Sequence, residues 1–216
     1  MDYIDIYKYP GEEVLINKYN SHDPDELLRL EADSTSGNLL YLQMHPIKGI
    51  FDFNHLKRIH HFIFQDVYDW AGKTRTVDIG KNNLFCRSQF IDSYAQTVFS
   101  DFYSSCKATG TDQEQFIKVL ASHYADMNAL HPFREGNGRA QREFTRELCL
   151  KCGYVFDLTE TTHEEMLDAS ISSFNRDDNT KFERIFSRCV IPNSEYENLQ
   201  KKLYTQIMIL SRDDLG

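Results

Sequence analysis

The stretch HPFREGNGRAQREF, residues 131–144, breaks a helical pattern with one proline and two glycines. The residue before a proline disfavours the helical conformation, so the preceding helix should end at His131. The glycines then open another helix, whose first backbone N–H groups have no partner within the helix. The stretch therefore predicts a turn between two helices that exposes several amide donors together.

The residues that open the second helix are Gly136, Asn137 and Gly138. Glycine has no Cβ to keep a ligand away, and the helix dipole adds partial positive charge at this end. Both features favour an anion, which indicates a phosphate-binding turn. Arg139 and Arg142 lie three residues apart and so share a helix face, from which their forked donors can reach further phosphate oxygens. The pattern is typical of a polyphosphate site.

Two side chains beside this turn suggest what happens to the phosphate. Glu135 would repel it unless a cation lay between them, and Mg²⁺ held by one carboxylate and phosphate oxygens is a common arrangement. His131 has an ordinary pKa near neutrality, which suits it to accept a proton from an attacking hydroxyl. Phe133 alternates with polar neighbours and should anchor the loop in the core. These residues predict group transfer directed at a phosphate.

Composition limits the class of protein. The chain has 216 residues and a net charge of −9, which argues against a surface for nucleic acid. Its start has no basic segment followed by an apolar run, and no stretch approaches the roughly 18 apolar residues of a membrane span. Five cysteines without framework spacing indicate reduced thiols, and we read the pair Cys149 and Cys152 as structural. We expect a cytoplasmic protein without a nucleic-acid or membrane partner.

Helical periodicity dominates the chain, and one β-hairpin is expected at residues 74–87. Residues 1–216 are expected to form a single all-α domain. The first expected helix begins after Asp23, and the second covers 52–70 and stops at Gly72. The third runs from a Ser88 cap to about Gly110, the fourth from a Thr111/Glu114 capping box to the residue before Pro132, and the fifth from Gly138 to Cys152, before Gly153. Two more begin at the capping boxes Thr162/Glu165 and Thr180/Glu183, and the last covers about 193–211.

The motif residues from His131 to Arg142 match all eight specified positions of HxFx(D/E)GNGRxxR, the signature of the Fic family, which the chain therefore resembles. The upstream segment DVYDWAGKTRTVDI is also similar to that family, and the resemblance covers about residues 50–190. It implies a helical bundle with a small β-hairpin, the flap, beside the active site.

The resemblance implies transfer of AMP from ATP to a hydroxyl of a target protein, with release of pyrophosphate. His131 would be the base and Glu135 would hold Mg²⁺. Residues 136–138 would form the anion hole, and Arg139 and Arg142 would bind the β- and γ-phosphates. The reading from the residues alone gave the same kinds of role, since such chemistry depends on positioning and charge neutralisation.

The hairpin would correspond to the family's flap, whose edge pairs with an extended target segment through main-chain bonds. An ordinary hairpin that packs on the helices is the alternative. The residues that we assign to the flap edge are Ile79, Gly80, Lys81, Leu84 and Phe85.

Many Fic proteins carry an inhibitory helix with the motif (S/T)xxxE(G/N), whose glutamate pairs with the second motif arginine. The segment NSEYEN offers Glu197 followed by Asn198, with Asn193 where a hydroxyl residue is expected. Inhibition by Glu197 is one hypothesis. The alternatives are a plain amphipathic C-terminal helix that packs or dimerises, and a separate antitoxin that supplies the inhibitory helix.

Other functions stay open at this point. The motif does not distinguish AMP from UMP, GMP or phosphocholine as the transferred group. A non-catalytic nucleotide-binding scaffold is a second class, and a metallohydrolase with His131 and Glu135 as ligands is a third, although Pro132 and the glycines suit a helix interior poorly. We expect structural roles for the histidines His45, His60, His61 and His123.

Overall fold

The computed structural model describes residues 5–80 and 84–197. These ranges are mostly helical, with one short antiparallel sheet. The elements are α1 (Pro24–Met44), α2 (Phe53–Phe64), a 3₁₀ turn (Ser88–Phe90), α3 (Ile91–Val98), α4 (Phe102–Ala108), α5 (Gln113–Leu130), α6 (Asn137–Lys151), β1 (Tyr154–Phe156), α7 (His163–Arg176), α8 (Thr180–Cys189) and β2 (Val190–Pro192). The fold class expected from the sequence, a helical bundle, is confirmed.

Helix α6 lies at the centre of the bundle and packs against α2, α5 and β1. Its Phe144 is fully buried and meets three other phenylalanine rings, those of Phe51, Phe99 and Phe102, at centroid distances of 5.6, 5.6 and 5.4 Å. Aromatic contacts of this kind add to the stabilisation that burial of apolar surface provides. The core therefore fixes α6, and with it the turn that precedes the helix.

The far end of α6 is fixed by a sheet that the sequence analysis did not predict. Gly153, with φ of 90°, ends the helix and leads directly into β1. The register pairs Tyr154 with Pro192, Val155 with Ile191 and Phe156 with Val190. Three-residue strands that meet across a long stretch of chain leave little local signal, because strand preference depends on the tertiary context.

Several predicted helix ends are confirmed. Asp23 caps α1 by accepting the N–H groups of Asp25 and Glu26. The Thr162/Glu165 capping box of α7 has both of its bonds. Helix α5 ends before Pro132, with His131 as its C-terminal cap.

The capping box predicted at Thr111/Glu114 is wrong. The cap of α5 is Asp112, whose side chain accepts the N–H of Gln115. Aspartate is at least as good a helix cap as threonine, and here it stands one residue closer to the helix.

The capping box predicted at Thr180/Glu183 is also wrong. Asn179 stands at the cap position of α8 and makes no capping bond with its side chain. The Thr180 backbone N–H and hydroxyl both donate to Asp178 instead, which is the local competition expected of short polar side chains.

The helix expected over 52–70 ends earlier, at Phe64. Turns follow, in which the N–H groups of Val67 and Tyr68 both donate to the carbonyl of Phe64. Both side chains are buried, so the apolar pattern continues past the helix. Periodicity alone does not separate a helix from a turn that packs into the same core.

The helix expected to start at Ser88 is divided. Arg87, rather than Ser88, stands at the cap position, and a 3₁₀ turn precedes α3. A break at residues 99–101 then separates α3 from α4, which ends at Ala108. Both helices carry buried apolar residues, so the apolar pattern continues across the break and does not indicate where one helix ends and the next begins.

Residues 74–87 are less regular than the expected hairpin. In the described part of this segment the pairing consists of an antiparallel bridge between Gly80 and Leu84 and a bond from Phe85 N–H to the Ile79 carbonyl, 3.1 Å. Lys81 lies outside the described residues. Most of the expected C-terminal helix also lies outside the described residues, although residues 193–197 are helical.

No helix in the described ranges is long and apolar enough to cross a membrane.

We predict that Phe144→Ala lowers the free energy of unfolding by about 3 to 5 kcal/mol, because it empties the centre of the aromatic cluster. Phe90→Ala is the matched control, since Phe90 is 53% exposed, and should change stability by less than about 0.5 kcal/mol. Urea unfolding of the three proteins measures both effects. Equal losses in the two variants would contradict this account of the core.

Candidate active site

His131 is held in a strained position at the end of α5. Its φ of 43° and ψ of 62° lie in the left-handed region, which non-glycine residues adopt rarely and at functional sites when the surroundings enforce it. Its ring stacks on Phe85 of the flap segment at 3.8 Å, with the planes within 9°. Helix end and flap together fix the direction of the imidazole.

The environment keeps His131 neutral. Burial is the main cause that lowers the pKa of His131 to about 4; the Asn128 carbonyl opposes the shift and the Arg75 guanidinium adds to it. Nδ1 is buried without a completed hydrogen bond in the described structure, and the residue lines a cavity. At neutral pH the ring is therefore unprotonated and able to accept a proton.

Asn137 locks the loop between His131 and α6. Its side chain accepts the N–H of Phe133 at 2.9 Å and donates to the carbonyl of the same residue at 2.8 Å. Phe133, between His131 and Asn137, is fully buried, so its ring packs into the core. The Asn137 side chain is thus committed to the loop, and only its backbone can serve a ligand.

His60 holds the loop from the core side through two hydrogen bonds, a role that the sequence did not specify. Its Nε2 donates to the carbonyl of Glu135 at 2.9 Å and its Nδ1 accepts the N–H of Gly72 at 2.8 Å, an assignment that requires the neutral ring. The ring also stacks on Phe133 at 3.7 Å. Burial, the largest cause, lowers the pKa of His60 to about 3.

Arg75 ties residues 74–87 to the turn at residues 131–136, a role that the sequence analysis did not predict. The side chain is buried, and its guanidinium donates to the carbonyls of His131 (2.9 Å), Val77 (2.8 Å) and Cys86. Its backbone N–H also donates to Pro132. Buried arginines are rare, so the sequence offers little reason to expect one here. The available signal was the position of Arg75 in a stretch of β-branched residues.

Backbone donors at the start of α6 are open, as predicted. The N–H of Ala140 closes the first turn on the Gly136 carbonyl, and the N–H groups of residues 137–139 have no acceptor in the described structure. The N–H of Gly136 donates to the Glu135 carboxylate at 2.8 Å. Gly136 has φ of 80°, and a Cβ there would lie 2.1 Å from the Phe64 ring, so the turn requires glycine.

A cavity of about 460 Å³ opens beside this turn. Three residues of the motif line it, namely His131, Gly138 and Arg142. One wall is a mainly apolar face of α7 that includes Met166, Leu167, Ile171 and Phe174. Phe85, Tyr124 and Asn128 line other parts of the cavity. A pocket that combines an apolar wall with a few convergent polar groups suits a nucleotide, whose base is flat and whose phosphates are charged.

The two motif arginines face different surroundings. Arg142 lines the cavity and forms no ion pair within the described ranges. Arg139 is not among the lining residues, and its guanidinium bonds to Glu31 and Thr35 of α1 at 2.6 and 3.3 Å. Of the two motif arginines, Arg142 is therefore the one that lines the cavity.

Glu135 has the properties expected of a magnesium ligand. Its side chain is 46% exposed, and Oε1 lies 3.6 Å from Arg139 Nη2. No cluster of three or more potential metal ligands occurs among the described residues. Mg²⁺ usually binds through one or two carboxylates together with phosphates and water, so the donor chemistry fits.

Glu197 does not contact Arg142 in this arrangement. The Asn193 amide donates to its carboxylate at 3.5 Å, and the Asn193 N–H donates to the Gly153 carbonyl. Gly153 follows the C-terminal end of α6, about 16 Å along the axis from Arg142 at 1.5 Å per residue. The two predicted inhibitory residues thus lie together, at the end of α6 opposite the catalytic turn.

An open helix N-terminus beside a partly buried, neutral histidine offers the kinds of group that phosphate binding and proton transfer require. Residues 50–149 match the model of the Fic/DOC family. The chain belongs to the Fic/DOC family, as the curated relatives also show.

One relative is the protein adenylyltransferase VbhT of Bartonella schoenbuchensis, 39% identical over 171 residues that cover 79% of this chain and 36% of VbhT. The chain thus spans about a third of that protein. The probable protein adenylyltransferase y4lH of Sinorhizobium fredii is 38% identical over 174 residues, which cover 78% of this chain and 88% of y4lH.

Among solved structures, the BepC effector of Bartonella tribocorum with bound AMPPNP superposes with a TM-score of 0.81. Sequence identity is 23%, and the match covers 86% of this chain and 96% of that one. The superposition confirms the fold.

The neutral state of His60 predicts a pH dependence of stability. Its pKa near 3 in the folded chain lies below the ordinary 6.5, so the unfolded chain binds more protons between these values and stability falls as the pH drops below 6.5. Between pH 7 and pH 5 the residue should account for a loss on the order of 2 kcal/mol.

Urea unfolding at pH 7, 6 and 5 tests this prediction. His60→Gln should be less stable at pH 7 and should lose less on acidification than the unmodified chain. His45→Gln is the control, because His45 is exposed. Parallel pH profiles for His60→Gln and the unmodified chain would show that the ring is not kept neutral by the fold.

Proposed function

We propose that this chain is a protein adenylyltransferase, which transfers AMP from ATP to a serine, threonine or tyrosine hydroxyl of a target protein and releases pyrophosphate. The observation that carries the proposal is the meeting, at one cavity, of a neutral His131, open amides at the start of α6, and Arg142. The relatives named protein adenylyltransferases support the same chemistry.

The reaction follows from the positions of these groups. The triphosphate lies along the open amides of residues 137–139, and the outer phosphates face Arg142. Nε2 of His131 takes the proton from the target hydroxyl as its oxygen attacks the α-phosphorus. The bond between the α-phosphorus and the bridging oxygen breaks, and pyrophosphate leaves with that electron pair. Preorganised donors stabilise the charge that develops, without reorganisation during the step.

Glu135 is the residue that would hold Mg²⁺. The ion would neutralise charge on the phosphates when bound, which is its usual contribution to such reactions. The carboxylate is near the first turn of α6 and half-exposed, so it can turn from the Gly136 amide towards a cation. The chain itself contributes one carboxylate beside the open N–H groups of residues 137–139.

The flap is the proposed docking edge for the target. Leu84 is 54% exposed beside Phe85, whose ring covers His131, so a segment paired with this edge would carry its hydroxyl towards the imidazole. The same face could admit an antitoxin or a second copy of the chain.

Reduced cysteines agree with action in the cytoplasm, since all five are free.

Labelled ATP tests the reaction. With Mg²⁺ and cell lysate as the source of targets, α-labelled ATP should label protein and γ-labelled ATP should not. His131→Ala should lower label transfer roughly a hundredfold or more because the base is lost, whereas His45→Ala should not change it.

The γ-labelled reaction separates AMP transfer from phosphate transfer. Labelling from γ-labelled ATP, or unchanged labelling by His131→Ala, would contradict the proposed function. Nucleotides with other bases, offered in the same assay, determine which nucleotide the cavity accepts.

Inhibition by Glu197 remains a hypothesis with its own test. Because Glu197 lies away from Arg142, we expect Glu197→Gly to modify itself at the rate of the unmodified chain. Glu195→Gly is the matched control, an exposed acid two residues earlier. A rate that rises in the first variant alone would mean that the C-terminal helix moves to Arg142 and restrains the enzyme.

A further inference from the structure

We propose that Glu31 of α1 is a positioning residue, which occupies the Arg139 guanidinium so that Glu135 keeps its charge for a divalent cation. The inference rests on the proposed function and assigns a role to a helix outside the motif. It also gives the two motif arginines different tasks, with Arg142 at the phosphates and Arg139 beside the acid.

Glu31 is buried and both of its oxygens are used. Oε1 accepts Arg139 Nη2 at 2.6 Å, and Oε2 accepts the hydroxyl of Tyr68. Tyr68 is itself 1% exposed and stacks on Trp70 at 4.3 Å. The carboxylate is therefore fixed from the core side before it meets the arginine.

Arg139 is held on its other sides as well. Its Nη1 donates to Thr35 at 3.3 Å, and its guanidinium carbon lies 4.6 Å from the centre of the Phe64 ring. A guanidinium over an aromatic face gains a further attraction. These contacts keep the side chain on the α1 side of the motif turn, away from the cavity that Arg142 lines.

The balance of charge explains what this arrangement achieves. Glu135 lies just before α6, and its Oε1 is 3.6 Å from Arg139 Nη2, against 2.6 Å for Glu31 Oε1. One guanidinium shared by two carboxylates leaves a net charge of −1. That surplus lies at Glu135, the more exposed of the two acids, where it can attract a divalent cation.

Removal of the Glu31 charge should therefore weaken the cation site. In Glu31→Gln the guanidinium loses its buried counterion, so it pairs more strongly with Glu135 and competes with Mg²⁺. The Mg²⁺ concentration for half-maximal label transfer should rise roughly threefold or more, with a smaller change in kcat at saturating Mg²⁺. Tyr68→Phe should shift the Mg²⁺ requirement in the same direction and less.

Asp33→Asn is the matched control, because it removes an exposed carboxylate from the same helix and should leave the Mg²⁺ dependence unchanged. A second measurement is independent of turnover: the affinity for a non-hydrolysable ATP analogue is measured by calorimetry at increasing Mg²⁺. Glu31→Gln should need more Mg²⁺ to reach its tightest binding. Thermal unfolding identifies any variant that fails to fold, in which case Tyr68→Phe carries the test.

The two proposals fail separately. If the unmodified chain binds the analogue with Mg²⁺ but transfers no label, adenylyl transfer is wrong and the calorimetry still tests the role of Glu31. If Glu31→Gln has the Mg²⁺ dependence of the unmodified chain in both measurements, or transfers label faster at limiting Mg²⁺, the positioning role is overturned.

Discussion

The structure depends on a turn that must be buried on one side and open on the other. Residues 131–136 link α5 to α6, and their inner side is held by Asn137, His60 and Arg75 through hydrogen bonds to the backbone. Buried carbonyls and amides are costly without partners, so each of these bonds is needed. Because side chains meet that need, the backbone N–H groups of residues 137–139 stay available to a ligand.

Burial, as well as residue type, determines which side chains around the turn are charged. Desolvation of the partly buried imidazole lowers the pKa of His131 and keeps the ring neutral, while the Arg142 guanidinium lines the same cavity. The proposed reaction needs an unprotonated base for the hydroxyl and cationic donors for the triphosphate, and His131 and Arg142 stand at the two ends of the motif. Helix α1 completes this distribution from outside the motif.

The sequence predicted the turn between α5 and α6 well because its signals are local. Pro132 and the glycines determine where one helix ends and the next begins, and the motif spacing puts the functional side chains within one turn. Arg75 and Glu31 were missed, and the structural role expected of His60 could not be specified, because the partners of all three are far away in the chain. The β1–β2 sheet and the break between α3 and α4 were missed for the same reason: tertiary packing, not propensity, decides them.

A crystal structure of the His131→Ala variant with ATP and Mg²⁺ tests the central claim most directly. The account predicts that α-phosphate oxygens accept the N–H groups of residues 137 and 138, with the outer phosphates at Arg142. It also predicts a cation between the phosphates and Glu135. A triphosphate bound elsewhere, or one that leaves these N–H groups without a ligand, would contradict the account.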